Sequence, residues 1–389
     1  MTQSLQPGPA TAGTASPVSF AIPPDYLREP EQIPGFWITA LDDIRRFLRE
    51  TIRKGSVERI GTSAGGREIV AACYGTPRGE KGTTTFSGSV GCRNVQAYFG
   101  PDAGKKVYLG VAGIHASEYE GIVGMVNLIA VLETGCDLRG KPWPEITEAA
   151  AGLDRIVLVP LVNVDGRARI PLRMEVYRGM DETVHSYLTN SAWADGSPVG
   201  WPACKQFIPL DFRKTQFPGG YPNDAGVNIQ HDDFFGNPQP ETRALFALTA
   251  RERPDLMLNM HTGVPPRNYF QRMHRPFMEE ALNQPFDELY RRTHTRLTRE
   301  GLQGSRNPIL EATPPRDSSF PCNLDTALNL HCGVMSVIVE APSHGFSGTD
   351  RDGVPVRHTP ERLLDAQLIC NQEAMGFLRE TGGRARWVS

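Results

Sequence analysis

Hydrophobic and polar positions alternate along this chain in two rhythms, one of three to four residues and one of short continuous apolar runs. Ala40 to Lys54 places Leu41, Ile44, Phe47, Leu48 and Ile52 at helical spacing, which predicts an amphipathic helix. Val57 to Gly75 reads as strand, glycine-rich turn and strand, most simply a hairpin, and Thr83 to Ser87 predicts a further edge strand. Lys105 to Ala112 is a buried strand by its apolar run, and Gly121 to Thr134 is apolar almost all round, as a buried helix would be. Asp154 to Asn163 is another buried strand, closed by the turn residues Asn163-Val164-Asp165-Gly166. Pro240 to Arg253 predicts a helix, Asp255 to His261 a strand, Phe277 to Glu300 one or two helices, and Val334 to Val339 a strand. Thr359, followed by Pro360 and Glu361, has the chemistry of a helix start, with room to run to about Glu380.

Strands alternating with helices imply an α/β fold with a mixed, mainly parallel central sheet and helices on both faces. Residues 1–35, led by a stretch rich in Ser, Thr, Gly, Pro and Ala, are expected to form a flexible leader, and residues 36–384 a single domain. Within it, residues 167–222 lose periodicity and carry Trp193, Trp201 and several prolines, so a loop-rich insertion that serves as lid or binding loop is expected there.

Three of the predicted strands end on residues that ligate metals or move protons. The first delivers His115 with Glu118 three positions on; a helix beginning there would put both on one face. The second ends on His261 and the third on Glu340. In open α/β sheets, functional groups gather beyond the carboxyl ends of the strands. Two imidazoles and a carboxylate with a fourth position open are a catalytic zinc set, and a second carboxylate beside them can act as base. The plainer reading is that each residue only ends its strand.

Composition narrows the partners. With 41 basic and 44 acidic residues the formal charge is −3, so no bulk field draws the chain to nucleic acid or an anionic membrane, and a small partner is expected. The seven cysteines are scattered and odd in number, which argues for reduced thiols. No apolar run reaches 18 residues and no signal peptide is evident, so the cytoplasm is the expected compartment, and nothing fixes the oligomeric state.

These segments, in this order, resemble the zinc carboxypeptidase (funnelin) family from about Val57 to Gly382. Ser63-Ala64-Gly65-Gly66-Arg67 resembles its early Ser-x-x-Gly-Arg turn, and Gly113-Ile114-His115-Ala116-Ser117-Glu118 its first zinc motif. Asn163-Val164-Asp165-Gly166 is similar to its Asn-Pro-Asp-Gly turn, and Pro240-Glu241-Thr242 to its Pro-Glu-Thr helix start. The resemblance implies one zinc per chain on His115, Glu118 and His261, with Glu340 as catalytic base. Leu210 to Lys214 is similar to the segment that supplies a carbonyl-polarising arginine, and Arg213 stands 17 positions before Gln230, the family's offset.

The departures bear on substrate. Gln230-His231 stands where the family has the Asn-Arg pair that holds a terminal carboxylate, and neither side chain offers a guanidinium's paired donors. Asn228 stands where an aspartate orients the first zinc histidine, and no tyrosine occurs between Arg316 and Val339, where most members have a mobile one. Arg267, Arg272 and His331 are candidates to line the pocket in compensation. The expected function is a zinc-dependent hydrolase of an amide bond in an atypical peptide or a small modified amide. An N-acyl amino acid deacylase resembling aspartoacylase and succinylglutamate desuccinylase, or a binding protein on the same scaffold, are the alternatives.

Overall fold

The computed structural model describes residues 20–29, 32–174, 183–262, 272–274, 279–302, 323–341, 347–349 and 355–387. Seven strands, β1 (Ser56–Thr62), β2 (Glu68–Gly75), β3 (Val107–Ala112), β4 (Arg155–Val159), β7 (Leu256–Thr262), β8 (Arg272–His274) and β9 (Met335–Ala341), form one sheet. Their order is β1-β2-β4-β3-β7-β9-β8. Two short antiparallel pairs, β5 (Ala192–Trp193) with β6 (Thr215–Phe217) and β10 (Ser347–Thr349) with β11 (Pro355–Arg357), lie outside it.

The four central strands β4, β3, β7 and β9 run parallel, and the β1-β2 hairpin and β8 add antiparallel edges. Every residue of β3, β4 and β7 is buried, as expected for parallel strands covered on both faces. The helix Tyr119–Thr134 covers the centre of the sheet together with Pro360–Thr381, while Pro240–Glu252 packs on β1 and Asn323–Cys332 on β9. Gly121 lets the first of these helices approach closely: a Cβ there would come within 2.8 Å of the Met260 Cβ. Thr359 caps the long helix by accepting from Arg362 N, and Arg253 closes Pro240–Glu252 in the left-handed region.

One expectation is corrected. Thr83 to Ser87 forms no strand, because the Thr85 hydroxyl accepts from Gly88 N and starts the short helix Phe86–Gly91 instead. Among the described residues, 167–222 hold the helix Thr183–Asn190 and the β5-β6 pair between stretches without regular structure. Phe20 packs edge-to-face on Phe212 and Phe217 of this insertion, and Tyr187 Oη donates to Ala21 O. Residues 1–19 lie outside the described residues, and no described helix is long and apolar enough to cross a membrane.

Candidate metal centre

β3 ends at Ala112, and Gly113 (φ 65°) takes a backbone conformation that a side chain would strain, turning the chain toward His115. The expected helical presentation of His115 and Glu118 is corrected here. The two sit on a turn, with Glu118 N donating to His115 O, and Glu118 is the residue that precedes the helix Tyr119–Thr134. A turn still brings the side chains together: Glu118 Oε1 lies 2.7 Å from His115 Nδ1. From the end of β7, His261 Nδ1 lies 2.9 Å from Glu118 Oε2, which also accepts from Thr262 N at 3.1 Å. The ligating atoms of His115, Glu118 and His261 all fall within 4.8 Å of one another, and all three residues are buried.

The electrostatics fit a cation. Burial opposes a charge on Glu118, yet the two imidazoles outweigh it and hold its carboxyl down at about 2. Burial likewise opposes charge on His261, and Glu118 outweighs it, raising the ring to about 9. At His115 burial prevails and pulls the pKa down. A buried carboxylate therefore draws positive charge to this spot, and a divalent ion on the same three atoms would supply it. His115 Nε2 faces Asn228 Oδ1 at 3.2 Å, so it donates there and leaves the Nδ1 lone pair for a metal.

The family-like motifs are braces for this centre. Asn163 Oδ1 accepts from Gly166 N, and its Nδ2 donates to the carbonyls of Gly220 and Tyr221. Asp165, fully buried, accepts from Ser63 Oγ, Gly65 N, Arg67 Nη1 and Asp224 N, tying the first hairpin turn to the same loop. That loop lays Tyr221 on the His115 ring, centroids 3.8 Å apart and 16° from parallel. Glu241 accepts from Ala64 N and Asn223 Nδ2, so the Pro-Glu-Thr helix start joins the same scaffold. Sequence reasoning missed Tyr221, whose aromatic ring after Phe217-Pro218-Gly219-Gly220 was the available signal. Burial pushes His185 down to about 3, and it lies close enough to Glu118 to respond to its charge.

The remaining expected residues fall in three groups. Glu340 ends β9 as the register partner of His261, and Arg272 of β8 pairs with Glu340 across the antiparallel edge. Asn228, Gln230 and His231 share one turn beside His115; Gln230 Nε2 donates to Asp325 at 2.7 Å, and burial, with Lys205 nearby, pushes His231 down to about 4. Arg213 is 89% exposed and paired through two nitrogens with Asp211, while His331 packs against Phe246. Arg267 lies outside the described residues.

A family model described as zinc carboxypeptidase matches residues 45–300. The structure is similar to a metallo-carboxypeptidase from Burkholderia cenocepacia, at 14% identity and a TM-score of 0.51 over 86% of this chain and 67% of that one. It is also similar to a metallo-carboxypeptidase from Pseudomonas aeruginosa solved with (2-guanidinoethylmercapto)succinic acid, at 15% identity and a TM-score of 0.50 over 86% and 68%. At such identities the likeness is one of fold. No curated protein matches the sequence.

Proposed function

Because the chain belongs to the zinc carboxypeptidase family, we propose that it hydrolyses an amide bond in an atypical peptide or small modified amide, with one zinc on His115, Glu118 and His261. The observation that carries this reading is the convergence of those three ligating atoms within 4.8 Å, beside the strand position of Glu340.

Zinc, when bound, supplies a Lewis acid that makes water acidic near neutral pH and polarises a carbonyl. Glu340 accepts the proton as water attacks the acyl carbon, and returns it to the nitrogen as the C–N bond breaks, giving a carboxylic acid and an amine. Arg213 releases Asp211 and donates to the carbonyl oxygen as it gains negative charge. Asn228 and Tyr221 hold the His115 ring in place, the one by its hydrogen bond and the other by stacking. Gln230 and His231 offer no bidentate cation, so an ordinary free C-terminus is gripped poorly.

Zinc titration of metal-free protein tests the ligand set. One equivalent should bind to the intact chain and none tightly to His261→Ala. Equal zinc affinity in the two proteins would remove the proposed centre.

A further inference from the structure

A second open space lies outside the metal centre, between the helix Leu41–Thr51 and the segment that leads into it. This cleft encloses about 400 Å³, within the range of sites that hold small ligands, and none of its lining residues belongs to the metal centre. Asp43, Arg46, Phe47 and Glu50 line it, at the three-and-four spacing that puts them on one side of the helix. Arg173 lines it from a distant part of the chain. Its carbonyl accepts from Trp37 Nε1 at 3.2 Å and from Thr39 Oγ1 at 2.6 Å, so its backbone is fixed beside the residues that precede the helix.

The charges that line the cleft do not all pair with one another. Arg46 Nη2 is paired with Asp43 Oδ1. Glu50 and Arg173 are exposed, and neither side chain has a hydrogen bond or ion pair among the described residues. They stand toward opposite ends of the cleft. Arg173 is anchored near the start of the helix through Thr39, whereas Glu50 is in its last turn, and Asp43 to Glu50 alone spans about 10 Å at about 1.5 Å per residue. Trp37 and Phe47, both buried, and the half-buried Ile33 and Ile38 give the cleft its apolar wall.

We propose that this cleft binds a short peptide with both ends free, its carboxylate on the Arg173 guanidinium, its ammonium on Glu50 and an apolar side chain against Trp37 and Phe47. A guanidinium offers paired donors to a carboxylate, and a carboxylate accepts from an ammonium. Extended chain covers about 3.5 Å per residue, so two or three residues bridge the two charges, whereas the two charged groups of a single amino acid lie too close together to reach both ends. A dianion would set like charge against Glu50, and a dication against Arg173. The site stands apart from the hydrolase reading, since none of its residues is proposed to hold the metal or move a proton there.

Calorimetry with leucylglycylglycine on the zinc-loaded Glu340→Gln chain, where turnover is slowed, tests this, with the N-acetylated peptide, the peptide amide and free leucine titrated beside it. The free peptide should bind about tenfold or more tighter than any of the three, since each blocked or missing end loses a charge-assisted contact. In the same background, Arg173→Met should abolish the preference for the free carboxylate, and Glu50→Gln the preference for the free amine. Both side chains are exposed and the Arg173 carbonyl keeps its hydrogen bonds in the variant, so both proteins should fold. No binding of the free peptide, equal binding of the blocked forms, or preferences untouched by Arg173→Met and Glu50→Gln would overturn the proposal. Binding lost in His261→Ala but unchanged in Arg173→Met would place the peptide at the metal centre and overturn it equally. A native chain that hydrolyses no amide while these preferences hold would instead sink the hydrolase reading and leave the cleft as assigned.

Discussion

His261 and Glu340 are direct partners across the parallel strands β7 and β9, so their side chains leave the same face at the carboxyl edge of the sheet. Neighbouring strands lie only about 4.8 Å apart. The proposed metal ligand and the proposed base are thus held side by side by backbone hydrogen bonds, not by loops. The backbone of Arg272 in β8 is in register with Glu340 on the other side of β9.

The amide of Asn228 is expected to set zinc affinity through His115. Asn228→Ala removes the acceptor at His115 Nε2 and should weaken zinc binding about 10- to 100-fold, measured by competition with a chelator. Asn228→Asp keeps the acceptor and adds charge, so it should bind zinc at least as tightly as the native chain. Unaltered affinity in Asn228→Ala would show that stacking by Tyr221 alone holds the ring.

Arg213 makes the most exposed claim, since it faces solvent in its pair with Asp211. If it swings to the carbonyl during turnover, Arg213→Ala should lower kcat about 10²- to 10³-fold with a much smaller change in KM. Unchanged turnover would assign it to the surface ion pair only.

Stability should fall as pH rises from about 4.5 to about 7 because of Glu241. Its carboxyl is raised to about 7, first by burial and further by Asp165, so the folded chain holds a proton there that the unfolded chain releases. That stabilisation is fully present below the unfolded pKa and is lost as pH passes the folded one, on the order of 1–3 kcal/mol. Glu241→Gln should flatten this slope in denaturant titrations at pH 4.5 and 7.5; an unchanged slope would place the titrating group elsewhere.

Much of this was legible in the sequence because hydrophobic period and strand-end chemistry coincide. The apolar runs before His115, His261 and Glu340 foretold the strands β3, β7 and β9, and Thr359-Pro360 foretold the last helix. What escaped depends on contacts far apart in the chain. Nothing local says that Asp165 will gather Ser63, Gly65 and Arg67, nor that Asp325 will accept from Gln230. Thr83 to Ser87 misled because threonines favour strands by shape yet cap helices through their hydroxyls. The Thr183–Asn190 helix was hidden among aromatic and charged neighbours that blur a three-to-four period.

Turnover by Glu340→Gln at full zinc occupancy tests the central claim most directly. The substitution keeps size and shape and removes the proton acceptor, so the variant should bind one zinc per chain as the native protein does. Its rate on an N-acyl amino-acid amide should fall about 10²- to 10⁴-fold. A zinc-loaded variant that hydrolyses this substrate as fast as the native chain would contradict the account.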